Sequence, residues 1–188
     1  MKPNLLSRSL GRLHGALWLN AALALGCTAG PLKLLSVIDS TQTPPAGGGG
    51  DSVAPLLSAD GRYVIFASTA KNLATNTTAS ALSGNFPARF NTFRRDRTTG
   101  RTDLVSVNLA GDGGNEDSLP ASISADGRFV LFESRASDLV PGDTNQASDI
   151  FVRDLSSNLT LLVSVGTNGA VGNGSSFSAA LTPDGRFV

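Results

Sequence analysis

One stretch, written repeatedly, limits what this chain can become. Ser58-Ala59-Asp60-Gly61-Arg62-Tyr63-Val64-Ile65-Phe66 returns as Ser124-Ala125-Asp126-Gly127-Arg128-Phe129-Val130-Leu131-Phe132. It begins a third time as Thr182-Pro183-Asp184-Gly185-Arg186-Phe187-Val188. The offset is 66 residues from Asp60 to Asp126 and 58 from Asp126 to Asp184. Repeats at such a period point to stacked supersecondary units rather than one irregular core. The difference has a place: from Asp96 onward the first copy matches the second at an offset of 58, so eight extra residues lie within Thr75–Phe90.

Each copy divides into four short strands. The first is Val53–Ser58, matched by Leu119–Ser124 and by Ser178–Thr182. The pairs Asp60-Gly61, Asp126-Gly127 and Asp184-Gly185 make a tight turn, where glycine accepts positive φ and aspartate tolerates it. Three copies at one position are what a repeated backbone demands, so these six residues read as structural. The second strand, Arg62–Ser68 or Arg128–Ser134, carries apolar residues on both faces, as a strand packed between neighbouring sheets needs. The third is Asn91–Asp96 or Asp149–Asp154, the former more polar and expected to be more exposed. Turns at Thr98-Thr99-Gly100 and Ser156-Ser157-Asn158 lead to the fourth, Thr102–Val107 or Leu159–Val165. After residue 50 no helical period lasts three turns, and the 21 glycines suit a turn-rich β protein.

Four antiparallel strands with apolar residues on both faces describe a propeller blade. The series Ser-Ala-Asp-Gly-Arg-Tyr/Phe-Val-x-Phe-x-Ser, then Asp-Ile-Phe-Val-Arg-Asp-Leu, then Thr-x-Leu-Val-Ser-Val resembles the WD-repeat-like blades of TolB-type bacterial β-propellers. The resemblance covers about residues 52–188, and the insertion in the first blade departs from it. It implies a periplasmic or surface-exposed, mostly non-enzymatic module that binds proteins or supports an assembly. It brings no catalytic residues. The expected fold is therefore all-β, a partial propeller with blades at about 52–116 and 117–175 and the start of a third at 176–188. Propellers have about four to eight blades. Two and a fraction leave apolar faces and edges open, so the array is expected to be truncated, with self-association to complete a ring as the rival.

The N-terminus has the pattern of an export signal. Lys2, Arg8 and Arg12 form an acid-free start, followed by the apolar run Ala16–Leu25 and then small residues. That run is short of the ~20 residues a membrane span needs. Residues 1–27 read as the signal, with two processing readings: lipidation of Cys27, or cleavage after Ala29. The membrane then enters only through an N-terminal lipid. Residues 28–51, with Pro44-Pro45 and four glycines at 47–50, read as a flexible tether. The chain is expected in the periplasm, anchored at the outer membrane, or at the cell surface.

The usual catalytic players are scarce. His14 and Cys27 are the only histidine and cysteine, and both lie in the presumed signal. After processing neither an imidazole base nor a thiol nucleophile remains, and the only glutamates are Glu116 and Glu133. The expectation is a non-enzyme that binds a protein partner. The alternative is the accessory propeller of a larger hydrolase. Equal numbers of basic and acidic residues give no field that favours nucleic acid. The arginine-rich stretch Phe86–Arg97 reads as an inserted loop running into a strand, and no cofactor is expected. One loop suits a hard cation: Asp143, Asn145 and Asp149 offer oxygens at calcium-like spacing, but turn formation after Pro141-Gly142 explains the same residues.

Overall fold

The computed structural model describes residues 48–74 and 88–188. The presumed export signal, Cys27, most of the presumed tether and most of the insertion lie outside the described residues.

The described residues form two four-stranded antiparallel sheets and no helix. In the first sheet the strands run in chain order: β1 (Ser52–Leu57), β2 (Tyr63–Ser68), β3 (Asn91–Asp96) and β4 (Thr102–Leu104). The second repeats this with β5 (Ser118–Ile123), β6 (Phe129–Ser134), β7 (Asp149–Asp154) and β8 (Leu159–Leu162). The fold is all-β, and the two meanders are blade-like units of a partial propeller. The pairing registers correspond: Phe66 faces Phe93 and Phe132 faces Phe151, each pair stacked at 5.8 and 5.5 Å between ring centroids.

Packing explains why the second strands are apolar on both faces. All six residues of β2 are buried. Val64 and Phe66 join Phe93 and Leu104 on one side. Ile65, on the other side, joins Val105 and reaches Val130, Phe132 and Phe151 of the second sheet. The far face of the second sheet (Leu131, Ile150) is covered in turn by Leu181 and Ala179 of the third copy. Removing one of the fully buried rings, such as Phe132, would cost about 3–5 kcal/mol.

Several expectations are corrected. The first strands begin one residue earlier than expected, because Ser52 and Ser118 pair with Ser68 and Ser134. The second begin one later, since Arg62 and Arg128 belong to the turns. The fourth stop at Leu104 and Leu162. Beyond them Val105 and Ser106 both donate to the Thr92 carbonyl, so the ladder is broken by a bulge. Ser178–Thr182 is not in a strand: the turn is made, but pairing reaches only Thr182 with Phe187. The polar β3 is buried, not exposed. Its polar groups have internal partners: Asn91 accepts from Ser106, Arg95 donates to Thr102, and Asp96 accepts from Arg62. Finally, Gly49 and Asp51, at the end of the presumed tether, donate backbone N–H groups to Asn72 and Thr69.

Candidate functional site

The repeated turn is built from its own side chains. Ser58 Oγ donates to Asp60 Oδ1 at 2.6 Å, and the same oxygen accepts the Arg62 N–H at 2.9 Å. Ser124, Asp126 and Arg128 repeat this at 2.6 and 3.0 Å, and Thr182, Asp184 and Arg186 at 2.6 and 3.1 Å. The hydroxyl first, and the backbone N–H second, hold each aspartate below the usual carboxylate range. Gly61, Gly127 and Gly185 have φ of +67°, +72° and +73°, whereas the aspartates stay at negative φ. The sequence reading is corrected here: the connection is longer than a two-residue hairpin, and aspartate serves as an acceptor rather than as a second left-handed residue.

The arginine that follows braces the sheet. Arg62 Nη2 lies 2.8 Å from Asp96 Oδ2, and Arg128 Nη2 2.7 Å from Asp154 Oδ2. Those guanidinium groups, aided by backbone N–H donors of the next turn, hold Asp96 and Asp154 far below the usual carboxylate range against the opposing effect of burial. The repeated Asp-Gly-Arg thus closes each turn and braces each sheet.

The same turn also joins the sheets. A Cβ on Gly127 would lie 2.3 Å from the Tyr63 ring of the first sheet, and one on Gly185 2.4 Å from Phe129 of the second. The turn glycine of one copy therefore sits flat on the aromatic residue of the copy before it. Ser118 N–H to the Phe90 carbonyl, and Ser176 N–H to Ser148, both 2.7 Å, add a second repeated link.

The calcium-like loop is folded inward. Asp143 and Asp149 are buried, and Asn145 Nδ2 donates to Asp149 Oδ2 at 2.8 Å and to the Gly172 carbonyl at 2.9 Å. Asn145 Oδ1 accepts the Ala147 N–H, and Asp149 Oδ1 accepts from Ser164. Burial, and then the Asp149 charge, raise the Asp143 carboxyl. Among the described residues no group of three or more histidine, cysteine or acidic side chains is placed to hold a metal. The matching residues of the first copy, Thr75 to Thr77, lie outside the described residues.

The arginine-rich stretch, from Arg89 onward, is engaged within the chain. Arg89 pairs with Glu116, Arg94 with Asp103, and Arg97 donates to the Gly61 carbonyl. Arg95 lies buried against Thr102.

The residues that sequence reasoning passed over lie on β1 and β5 and at the equivalent position of the third copy. β1 is exposed along its length and runs beside β5. The residue after the leading serine is apolar and exposed in all three copies: Val53 at 41%, Leu119 at 42% and Phe177 at 72%. Isolated exposed apolar residues are ordinary on protein surfaces, but here one position of the repeat is exposed three times, a row along the repeat. Aligning the three copies at Ser52, Ser118 and Ser176 shows the apolar position. Its exposure is visible only once the strand is known to lie at a sheet edge.

No protein-family model matches this chain, and no curated protein does. Among solved structures, TolB from Acinetobacter baumannii is similar at a TM-score of 0.41 and 19% identity, over 79% of this chain and 29% of that one. This chain thus spans under a third of that protein, and a likeness of this size bears on neither site nor function.

Proposed function

We propose that this chain is an exported, non-catalytic propeller module that binds a protein partner or holds one in an assembly. The observation that carries the reading is the row Val53, Leu119 and Phe177, an apolar position exposed in each copy. Such a row gives a partner apolar area to cover, with Val53 and Leu119 held on the rigid strands β1 and β5, where binding surfaces lose least entropy. The repeated acids and arginines are engaged in turns and strand braces, which favours binding over catalysis. The alternative, an accessory propeller of a hydrolase, uses the same surface for a catalytic domain. A cation at the Asp143 loop is a further reading, favoured by the repulsion between Asp143 and Asp149.

Export rests on the basic start and apolar run before Cys27. Labelling with a fatty-acid analogue is expected to mark the chain and to fail in Cys27→Ser; equal labelling of both removes the lipid reading. For the surface, a photo-crosslinking residue at position 119 is expected to give one discrete protein adduct in cells. The same residue at Leu109, exposed but outside the row, is expected to give none. Identical patterns at both positions would remove the row as a binding surface.

A further inference from the structure

Two asparagines of this chain precede a glycine, in the pairs Asn168-Gly169 and Asn173-Gly174. Such a pair carries its own chemistry. Glycine has no side chain to shield its backbone nitrogen, and a permissive backbone lets that nitrogen reach the preceding amide carbon and close a succinimide ring. Both pairs are exposed and lie in the same connection, after β8. Their surroundings differ.

Asn168-Gly169 is locked. Gly169 N–H donates to the Gly166 carbonyl, and Gly166 N–H to the Ala170 carbonyl, both at 2.8 Å. Asn168 Oδ1 accepts the Ala170 N–H at 3.1 Å. To close the ring, the Gly169 nitrogen would have to leave its acceptor and the Asn168 side chain its donor. The turn pairs Asp60-Gly61, Asp126-Gly127 and Asp184-Gly185 can form the same ring by losing water, and they are held in the same way. Their glycine N–H groups donate to the carbonyls of Ser58, Ser124 and Thr182.

Asn173-Gly174 is free. Among the described residues neither the Asn173 side chain nor the Gly174 N–H has a hydrogen-bond partner, so water serves both. A Cβ built on Gly174 would meet nothing within 4 Å. The chain is anchored on either side of the pair. Gly172 N–H donates to the Ser164 carbonyl at 3.1 Å, and the Gly172 carbonyl accepts from Asn145 Nδ2 at 2.9 Å. Ser176 N–H donates to the Ser148 carbonyl at 2.7 Å, and Ser175 Oγ accepts the Ser148 N–H at 3.4 Å. The pair is thus an unheld span between two fixed points.

We propose that Asn173 is a site of spontaneous deamidation, with the Gly174 backbone nitrogen as the nucleophile. Water takes the Gly174 amide proton, the nitrogen bonds to Asn173 Cγ, and the bond from Cγ to the side-chain nitrogen breaks. That nitrogen leaves with a proton as ammonia. A second water opens the succinimide at one of its two carbonyls, giving aspartate or isoaspartate. Either product places a carboxylate at position 173. Isoaspartate also routes the main chain through the side-chain carbons and lengthens the span between the anchors. The Ser148 link, which ties the third copy to the second, is the contact that then gives way.

Ageing of the full chain in mildly alkaline buffer tests this, read by mass spectrometry of peptides and by methyl transfer from an isoaspartyl methyltransferase. Conversion at Asn173 is expected to run several-fold ahead of Asn168 in the folded chain and level with it in urea. Equal rates in the folded chain, or a faster Asn168, overturn the proposal. Gly174→Ala is expected to slow conversion at Asn173 several-fold and to leave the urea midpoint unchanged, because its methyl enters open space. An undiminished rate in that variant would show that the Gly174 nitrogen is not the nucleophile and would also overturn it. Hydrogen exchange at the Ser176 amide is expected to be faster in the aged wild type than in Gly174→Ala aged alongside it. Equal protection there overturns the assigned effect on the link.

Discussion

The two sheets agree along their turns and strand braces and part at their outer edges. Ser58, Asp60, Gly61, Arg62, Phe66, Phe93 and Asp96 of the first have identical counterparts in Ser124, Asp126, Gly127, Arg128, Phe132, Phe151 and Asp154 of the second. Arg94, Arg101 and Asp103 of the first become Val152, Leu159 and Leu161. In the first sheet Arg94 reaches across the seam to the Gly127 carbonyl at 2.6 Å and lies 5.0 Å over the Tyr63 ring. Asp103 holds it there, and Arg101 holds Asp103 at 2.7 Å. In the second sheet the same place is apolar, with Leu159 and Leu161 about half exposed. The contact of ring with glycine recurs at both seams, while the arginine clasp occurs at one. The constant part of the seam is therefore the glycine turn on the aromatic ring, and the charges are a local addition.

The largest expected effect tests that division. Gly61→Ala meets only the left-handed backbone penalty of about 1–2 kcal/mol, since the nearest atom to its Cβ is Arg97 Nη1 at 3.8 Å. Gly127→Ala meets the same penalty and must also displace the buried Tyr63 ring, adding about 1–3 kcal/mol of overpacking. Urea midpoints should fall well further for Gly127→Ala than for Gly61→Ala, with Gly185→Ala costly through Phe129. Equal losses at Gly61 and Gly127 would mean that the turn conformation alone matters and that the ring contact joins nothing.

The strand brace should behave alike in both sheets. Asp96→Ala and Asp154→Ala each remove the acceptor of an arginine and of two backbone N–H groups, at about 2 kcal/mol. Arg62 and Arg128 are nearly half exposed, so the buried end of the brace carries most of this. Both carboxyls lie below their ordinary value in the folded chain, so the stability they contribute is complete above about pH 4 and is lost as pH falls further. The gap between wild type and either variant should therefore close in acid. A gap that persists unchanged toward pH 2 would show that the charge of these residues is irrelevant and only their shape counts.

The sequence made the repeat, the strand number and the burial of both faces of β2 legible, because these follow from periodicity and from apolar residues at successive positions. Three features were not legible, and each depends on a partner distant in the chain. The burial of β3 requires Arg62, Thr102 and Ser106 to meet Asp96, Arg95 and Asn91. The role of the turn glycine as a seat for a ring requires the preceding sheet. The early end of β4 comes from a bulge at Val105 and Ser106 that alternation of residue types does not mark. The candidate surface was half visible: the sequence shows the apolar positions Val53, Leu119 and Phe177, but not their exposure.

The smallest expected effect comes from making the second sheet resemble the first at the start of its third strand. Asp149, fully buried, stands where the first sheet has Asn91. Asp149→Asn keeps an oxygen for Ser164, but its amide then faces the amide of Asn145, which must turn and give up both the Gly172 carbonyl and the Ala147 N–H. The loss of these two hydrogen bonds, roughly 1–2 kcal/mol, is offset in part by relief of Asp143. Because the Asp143 carboxyl is raised in the folded chain, the fold binds a proton there more tightly than the unfolded chain does. This group's contribution to stability thus rises as pH falls from neutral through the raised value. Asp149→Asn should flatten that rise without abolishing it, since burial, the larger cause, remains. Thermal midpoints between pH 4 and 7 check this. The same two proteins also test the cation reading, for a bound ion stabilises by mass action. A midpoint that climbs with calcium in wild type and not in Asp149→Asn would make the pair a cation site. No climb below millimolar calcium leaves the two carboxylates as a local strain that the second sheet carries and Asn91 spares the first.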